Sequence, residues 1–224
     1  MHRSVAMARR SALSLLVAAC LAWISAAAAA ASLPALVRQA DAQQAKATAY
    51  MAAEVVTAKV AGHQTVVHTM LYVVKKSNGF YAYSVSKDVI LGHAITTYGY
   101  DTPTEVCTKS VGERTWVCSQ IAGGAQRLLH SLGASTFTSV KYLGAKQVDG
   151  VGCQGVSGVA TTTVDMGKPM TVVEHITYWI ASATKLPVET ITQSVIANQT
   201  STTTIQFSGW NSATVASHIP SSVP

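Results

Sequence analysis

The chain has 224 residues, of which 49% are hydrophobic and 12% are charged, and its mean hydropathy is +0.28. These values exclude a disordered chain and suit one domain with a substantial core. The 10 acidic residues offer little material for a carboxylate-rich metal site. The 16 lysines and arginines are scattered along the chain, which argues against a nucleic-acid partner.

Residues 1–31 predict a secretory signal peptide. Three arginines lie in the first ten residues, residues 11–25 are largely apolar, and the alanine run at 26–31 supplies small residues for cleavage. The apolar run is too short for a comfortable transmembrane helix. We therefore expect an exported protein that is periplasmic, held in the cell envelope, or secreted.

Cys20 is a candidate for lipidation, because Val17-Ala18-Ala19-Cys20 is similar to a bacterial lipobox. Lipidation would make the protein a membrane-anchored lipoprotein. The alternative is cleavage near Ala28 to Ala31 with at most peripheral membrane association. The second interpretation is favoured, because Leu21 to Ile24 continue the hydrophobic region instead of opening a polar tether.

The mature chain is predicted to begin with a helix over residues 32–49. Ser32 would cap it and Pro34 suits its first turn, where no backbone donor is missed. Apolar side chains recur at helical spacing, at Leu33, Leu36, Val37 and Ala40. One face of this helix is therefore expected to lie on a sheet.

From Tyr50 the apolar period changes to two, which predicts six strands. They are expected at residues 50–61, 64–76, 80–86, 89–98, 104–111 and 114–120. Gly62-His63 and Asn78-Gly79 are predicted to be two-residue turns between the first three strands.

Two-residue turns fix which side chains face each other across neighbouring strands. Tyr81 is expected opposite Lys76, Tyr83 opposite Val74, and Val85 opposite Tyr72. In the same way Val55 is expected opposite Met70, Ala53 opposite Tyr72, and Met51 opposite Val74. Eight candidate ligand-binding residues then share one surface: Met51, Val55, Met70, Tyr72, Val74, Tyr81, Tyr83 and Val85. This surface is either the wall of a lipid-lined cavity or an ordinary core beneath the helices.

Cys107 and Cys118 are predicted to form a disulfide, which an exported chain can retain. A two-residue turn at Gly112-Glu113 would place them directly opposite each other. A four-residue loop is the alternative, because a two-residue loop gives the less favourable hydrogen-bonded pairing for a bridge. Cys153 is left over, as a buried small hydrophobe or as a free thiol.

A second helix is predicted after Gly123-Gly124, with Leu128, Leu129 and Leu132 as its apolar stripe and Gly133 as its terminator. Five strands are then expected over residues 136–210. Asp149-Gly150 predicts a type I′ hairpin turn between the first two of them. Further breaks are expected at residues 166–169 and 183–185, and Pro187 suits the first residues of a strand.

No constellation typical of an enzyme is present in the sequence, and no catalytic residue, metal ligand or cofactor is predicted. His63 and His68 diverge on a turn and a strand. Glu174 and His175 are adjacent on a strand and point to opposite faces. Ser157 lacks the spacing of a nucleophile elbow. Gly152, Gly155 and Gly158 are expected to let a strand bend.

The second half of the chain resembles the LolA-like superfamily, which includes periplasmic lipoprotein carriers, envelope lipoproteins of the LppX and LprG type, and the amino-terminal domain of RseB-type regulators. The resemblance lies in "VDGVGCQGVSG", "YWIASATKLPVETIT", "TIQFSGW" and a terminal "IP". It implies a mainly β fold: a curved antiparallel sheet of about 10–11 strands forming an unclosed half-barrel, its concave side covered by two or more helices. One domain over residues 32–220 and a short tail at 221–224 are expected.

The resemblance implies a non-enzymatic, exported protein that binds a lipid or an acylated lipoprotein in an apolar cavity. The first alternative is an RseB-like regulatory module that binds an envelope protein partner. The second is a structural domain whose core is filled by its own side chains. Fold-level analogy carries most of this functional interpretation.

Overall fold

A computed structural model describes residues 34–60, 63–90, 93–120, 136–165, 169–196 and 199–223. The predicted signal peptide, Cys20 and the predicted second helix lie outside the described residues. Within them, no helix is long and apolar enough to cross a membrane.

The described elements are one α-helix, eleven strands and one 3₁₀ helix. Helix α1 covers Ala35–Gln44. The first six strands are β1 (Ala49–Val60), β2 (His63–Lys76), β3 (Gly79–Ile90), β4 (His93–Asp101), β5 (Glu105–Ser110) and β6 (Val117–Gln120). The other five are β7 (Thr136–Val148), β8 (Val151–Asp165), β9 (Pro169–Ala181), β10 (Pro187–Ile196) and β11 (Gln199–Ser208), and the 3₁₀ helix covers Ala213–His218.

All eleven strands belong to one antiparallel sheet, in the order β6-β5-β4-β3-β2-β1-β11-β10-β9-β8-β7. β1 pairs with β11, so the two blocks of strands join in the middle of the sheet. β6 and β7 are its two edges, and the sheet is therefore open. The predicted fold class, a mainly β protein with an open sheet of about 10–11 strands, is confirmed.

Two elements are shorter or longer than predicted. Helix α1 ends at Gln44 instead of Ala49, because Ala49 and Tyr50 already pair with β2. The predicted break after residue 86 is wrong, since β3 runs to Ile90 and pairs with β4 as far as His93. Side chains continue to alternate between the two faces of the sheet after residue 86, so the strand is not interrupted there.

The registers of the first hairpins differ from prediction by two residues. Lys76 pairs with Gly79, so the turn is Ser77-Asn78, and Val60 pairs with His63. Tyr72 consequently faces Tyr83 and Met51, not Val85 and Ala53. The predicted pairs are wrong, but a shift of two residues keeps every side chain on its predicted face.

The two remaining hairpin predictions have different outcomes. At Asp149-Gly150 both residues have positive φ, 48° and 79°, and Val148 pairs with Val151, which confirms the type I′ turn. At Gly112-Glu113 the predicted two-residue loop is wrong, because β6 begins only at Val117. Glu113 instead closes a turn by donating its backbone N–H to the Ser110 carbonyl at 3.1 Å.

The sheet has two chemically different faces. We call the face against which α1 packs the helix face. Val37 and Ala40 of α1 meet Tyr178 and Ile180 there, and Gln44 of α1 donates a hydrogen bond to the Tyr50 hydroxyl at 3.3 Å. The registers place Tyr50, Val73, Tyr178 and Val156 on this same face. All four are nearly or fully buried.

Candidate functional site

The opposite face, which we call the tyrosine face, carries all eight predicted ligand-binding residues. Tyr72 faces Tyr83, Val74 faces Tyr81, and Met70 faces Val85. The rings of Tyr72 and Tyr83 stack with centroids 6.3 Å apart, and the rings of Tyr83 and Tyr98 stack at 6.5 Å. The predicted sharing of one surface by these residues is therefore confirmed.

Part of the tyrosine face is covered by the carboxyl-terminal segment of the chain. The His218 ring stacks on Tyr72 with centroids 4.7 Å apart. Ile219 and Val223 pack against the cluster built around Tyr83 and Tyr100. The contacts here agree with the second alternative from the sequence, a surface filled by the protein's own side chains.

The eight residues are not equally covered. Tyr83 is buried, whereas Met70 is 38% exposed and the other six are half-buried. Helix α1 lies on the other face of the sheet, so the eight residues do not lie beneath it. Their role in ligand binding stays a prediction.

The helix face has an apolar row of side chains that crosses seven adjacent strands. Its members are connected by direct register pairs from β9 to β4: Ile176, Thr192, Thr203, Val56, Val67, Asp88 and Ile95. Six strand spacings of about 4.8 Å give this row a length of about 29 Å. Asp88 is its only ionisable member, and sequence analysis did not single it out.

A second row beside the first carries hydroxyl and carboxyl groups. Glu54 faces Thr69, Thr69 faces Ser86, and Ser86 faces Thr97. The hydroxyls of Thr69 and Ser86 are hydrogen-bonded at 2.9 Å. Burial raises the pKa of the Glu54 carboxyl. We call Glu54, Thr69, Ser86 and Thr97 the polar row.

The helix face and α1 hold further acids that are half-buried or buried. Burial raises the pKa of Asp101 to about 7 and that of Asp41 on α1 to about 6. Burial also raises the pKa of Glu174, although the Ser194 hydroxyl donates to its carboxylate at 3.1 Å and opposes the shift. A group protonated near neutral pH suits proton transfer, but these carboxyls are spread over separate elements, and the Ser194 hydroxyl beside Glu174 is hydrogen-bonded to that carboxylate.

The other candidate groups give no reactive centre in the described part of the chain. No group of three or more His, Cys, Asp or Glu side chains there could hold a metal ion. Glu174 is buried while His175 is exposed, as expected for neighbours on one strand. Cys153 is a buried free thiol whose pKa is raised mainly by burial, which makes it a weak nucleophile.

The predicted disulfide between Cys107 and Cys118 is confirmed. The two residues face each other in the β5–β6 hairpin, with Cα atoms 4.0 Å apart. Cys107 is fully buried beside Tyr83 and Tyr100 on the tyrosine face. The bridge therefore ties the edge of the sheet to that cluster.

These acids of the helix face were not predicted, because the two faces of the strands were ranked by their share of apolar residues alone. A usable signal was present in the alternation of β1 and β3. Glu54 has the parity of Tyr50 and Ala52, and Asp88 has the parity of Phe80 and Ala82. Acids that repeat in phase with buried aromatic and small residues predict buried carboxyls.

The fold of this chain is similar to that of a solved lipoprotein. LppX from Mycobacterium tuberculosis aligns over 80% of this chain and 94% of its own, with 16% identity and a TM-score of 0.50. At this identity the likeness shows the fold alone. It agrees with the LolA-like resemblance of the sequence at the level of the fold.

Two further solved structures are more distant. A DUF1329 family protein from Desulfovibrio piger covers 78% of this chain and 89% of its own at 11% identity and a TM-score of 0.35. A Vibrio parahaemolyticus domain named for outer membrane lipoprotein sorting covers 79% and 92% at 7% identity and 0.36. No family model and no curated protein sequence matches the chain.

Proposed function

We propose that this is an exported, non-enzymatic protein of the cell envelope that binds a lipid or an acylated lipoprotein and holds acyl chains along the apolar row of the helix face. The observation that carries the proposal is this row itself, a path of Val, Ile and Thr side chains interrupted by Asp88, on a sheet that shares its fold with the lipoprotein LppX. Both predicted routes of export, a cleaved signal peptide and a lipid anchor at Cys20, fit this role.

The energetics of the row suit an acyl ligand. Val67 and Ile176 are 4% and 7% exposed, so an acyl chain that reaches these side chains would meet a dry, apolar wall. Each methylene moved from water to such a wall contributes about 0.8 kcal/mol. Ten methylenes contribute about 8 kcal/mol, from which the cost of association is subtracted.

Carriage requires no reactive group. The carboxyls of the helix face belong to no group of three or more possible metal ligands among the described residues. The competing possibility is that the protein's own side chains fill the helix face and leave no room for a ligand. The two possibilities differ in whether a lipid is bound there, which can be measured directly.

Photo-crosslinking with a diazirine-labelled fatty acid tests the proposal at residue level. Successive strand residues point to opposite faces, so the parity of labelled positions identifies the face. Labels at Val56 and Val67 would support the helix face. Labels at Val55 and Met70 would move the site to the eight residues of the tyrosine face, and no saturable labelling would refute lipid binding.

The tyrosine face is the second candidate for the acyl site. Met70 is exposed, and Met51 is half-buried beside Gly209 at the start of the carboxyl-terminal segment. Methionine side chains adapt to irregular ligands, which favours this surface in one respect. A ligand there would have to displace the stacked His218 ring, so His218→Ala should strengthen binding on this face and leave binding on the helix face unchanged.

A further inference from the structure

Asp88 lies in the apolar row without a partner. It is 7% exposed, and its Oδ1 atom is fully buried and accepts no hydrogen bond. Its register neighbours are Val67 on β2 and Ile95 on β4, neither of which has a side-chain donor. A buried acceptor that stays unpaired lowers stability, so the position is explained better by a group that arrives from outside.

The surroundings of Asp88 are acidic and rich in hydroxyls. Ser86 is two residues away on the same face, and the Thr69 hydroxyl bonded to it lies across on β2. Glu54 continues the polar row on β1. Burial raises the pKa of both Glu54 and Asp88, because removal from water disfavours the charged form of a carboxyl.

The lysines of strands β1 to β4 lie mostly on the other face. Register parity places Lys59, Lys76 and Lys87 on the tyrosine face. Lys75 is the exception on the helix face, but its ammonium donates to the Ala45 carbonyl at 3.0 Å. It is six residues from Thr69 along β2, which is about 20 Å of strand.

We infer that Asp88, together with Glu54 and the hydroxyls of Thr69 and Ser86, forms a headgroup subsite for a ligand group that donates hydrogen bonds, a hydroxyl or an ammonium, and that this subsite rejects anionic phosphate. The inference rests on the proposed binding of acyl chains to the helix face and adds the chemistry of the headgroup. An ammonium or hydroxyl donor would satisfy Asp88, whereas a phosphate would set like charges together in a dry site.

The test uses four amphiphiles with the same chain: dodecylamine, 1-O-dodecylglycerol, dodecanol and dodecyl phosphate. Their Kd values are measured by tryptophan fluorescence on detergent-free protein, below each critical micelle concentration. The amine and the glycerol ether should bind about tenfold or more tightly than the phosphate. Equal or tighter binding of the phosphate would overturn the inference.

Two variants assign the preference to the subsite. Asp88→Asn keeps the shape and removes the charge, so the preference for amine over phosphate should fall about tenfold. Asp149→Asn removes the same charge from an exposed turn with positive φ that asparagine tolerates, and it should leave the preference unchanged. A preference that survives in Asp88→Asn, or falls equally in Asp149→Asn, would refute the assignment to Asp88.

A third variant tests the subsite without changing Asp88, in case Asp88→Asn does not fold. Ser86→Ala removes the neighbouring hydroxyl without touching a charge, and it should weaken binding of the glycerol ether more than that of dodecanol. Equal weakening of both would count against the polar row. If none of the four amphiphiles binds, the proposed function itself fails, whereas binding without discrimination refutes only the headgroup subsite.

Discussion

Reduction of the Cys107–Cys118 bridge should lower the free energy of unfolding by about 2.8 kcal/mol. The value follows from the loop-closure entropy of a cross-link whose cysteines are 11 residues apart, evaluated at about 298 K. The bridge holds β6, a four-residue edge strand whose side chains are all exposed, so little else fixes it to the sheet. The loss should therefore appear as earlier unfolding in urea.

The assay compares urea unfolding of the oxidised and reduced protein by circular dichroism. The Cys107→Ala/Cys118→Ala double variant should lose more than the reduced protein, because Cys107 is fully buried beside Tyr83 and Tyr100. Adding reductant to the double variant should change nothing, which controls for the free thiol of Cys153. A reduced protein within about 0.5 kcal/mol of the oxidised one would refute the loop-closure reasoning.

Three further predictions concern the helix face and the sheet that carries it. Burial raises the pKa of Asp101 from 3.8, its ordinary value, to about 7 in the folded protein, so its contribution to stability is present below about pH 4 and is lost as the pH rises to about 7. Asp101→Asn should flatten thermal stability over this range, and an unchanged pH profile would contradict the burial of this carboxyl. Gly158→Ala should cost about 1–3 kcal/mol, because the new Cβ would collide with the Phe137 ring, while Gly152→Ala in the same strand meets only one atom, 3.8 Å away, and should not show this overpacking loss. Ile180→Ala should cost about 2–5 kcal/mol in urea unfolding, since this side chain is completely buried, and a loss below about 1 kcal/mol would show that the core beneath α1 is loosely packed.

The strands and their faces were largely predictable from the sequence. The periodicity of two in β1 to β3 gave the correct faces even where the turn was misplaced. With the turn at Ser77-Asn78, the pairing register of β2 and β3 differs from the predicted one by two residues, which leaves each side chain on the same face. Asp149-Gly150 was reliable because a type I′ turn needs positive φ at both positions. Gly112-Glu113 was less reliable, since a two-residue loop is only one of the turns that such a pair permits.

Other features depend on long-range contacts that local patterns do not encode. The pairing of β1 with β11 joins segments about 150 residues apart. It determines which side chains of β1 to β4 lie on the same face of the sheet as the side chains that contact α1. The stacking of His218 on Tyr72 is equally distant in sequence. The glycines of β8 also have a role that was not predicted: Gly155 lies beneath the Trp179 ring, where a Cβ would come within 2.5 Å of it.

The acids of the helix face show why apolar content alone does not describe the two faces of the sheet. The tyrosine face is rich in Met and Tyr, yet part of it is occupied by the chain's own carboxyl-terminal residues. The helix face carries the half-buried Glu54 and the buried Asp88 among Val and Ile side chains, and their removal from water is visible only once the sheet is assembled. Unpaired polar groups in an apolar row are a better indication of a ligand than apolarity.

Native mass spectrometry of the protein, purified from an exporting host without detergent, tests the central claim most directly. The account predicts a mass above that of the polypeptide, which is lost on collisional activation as one or a few intact lipids. Lipid that stays bound to Val67→Asp, a substitution that places a charge in the apolar row, would argue against that row. A bare polypeptide that also fails to take up dodecylglycerol would contradict lipid carriage altogether.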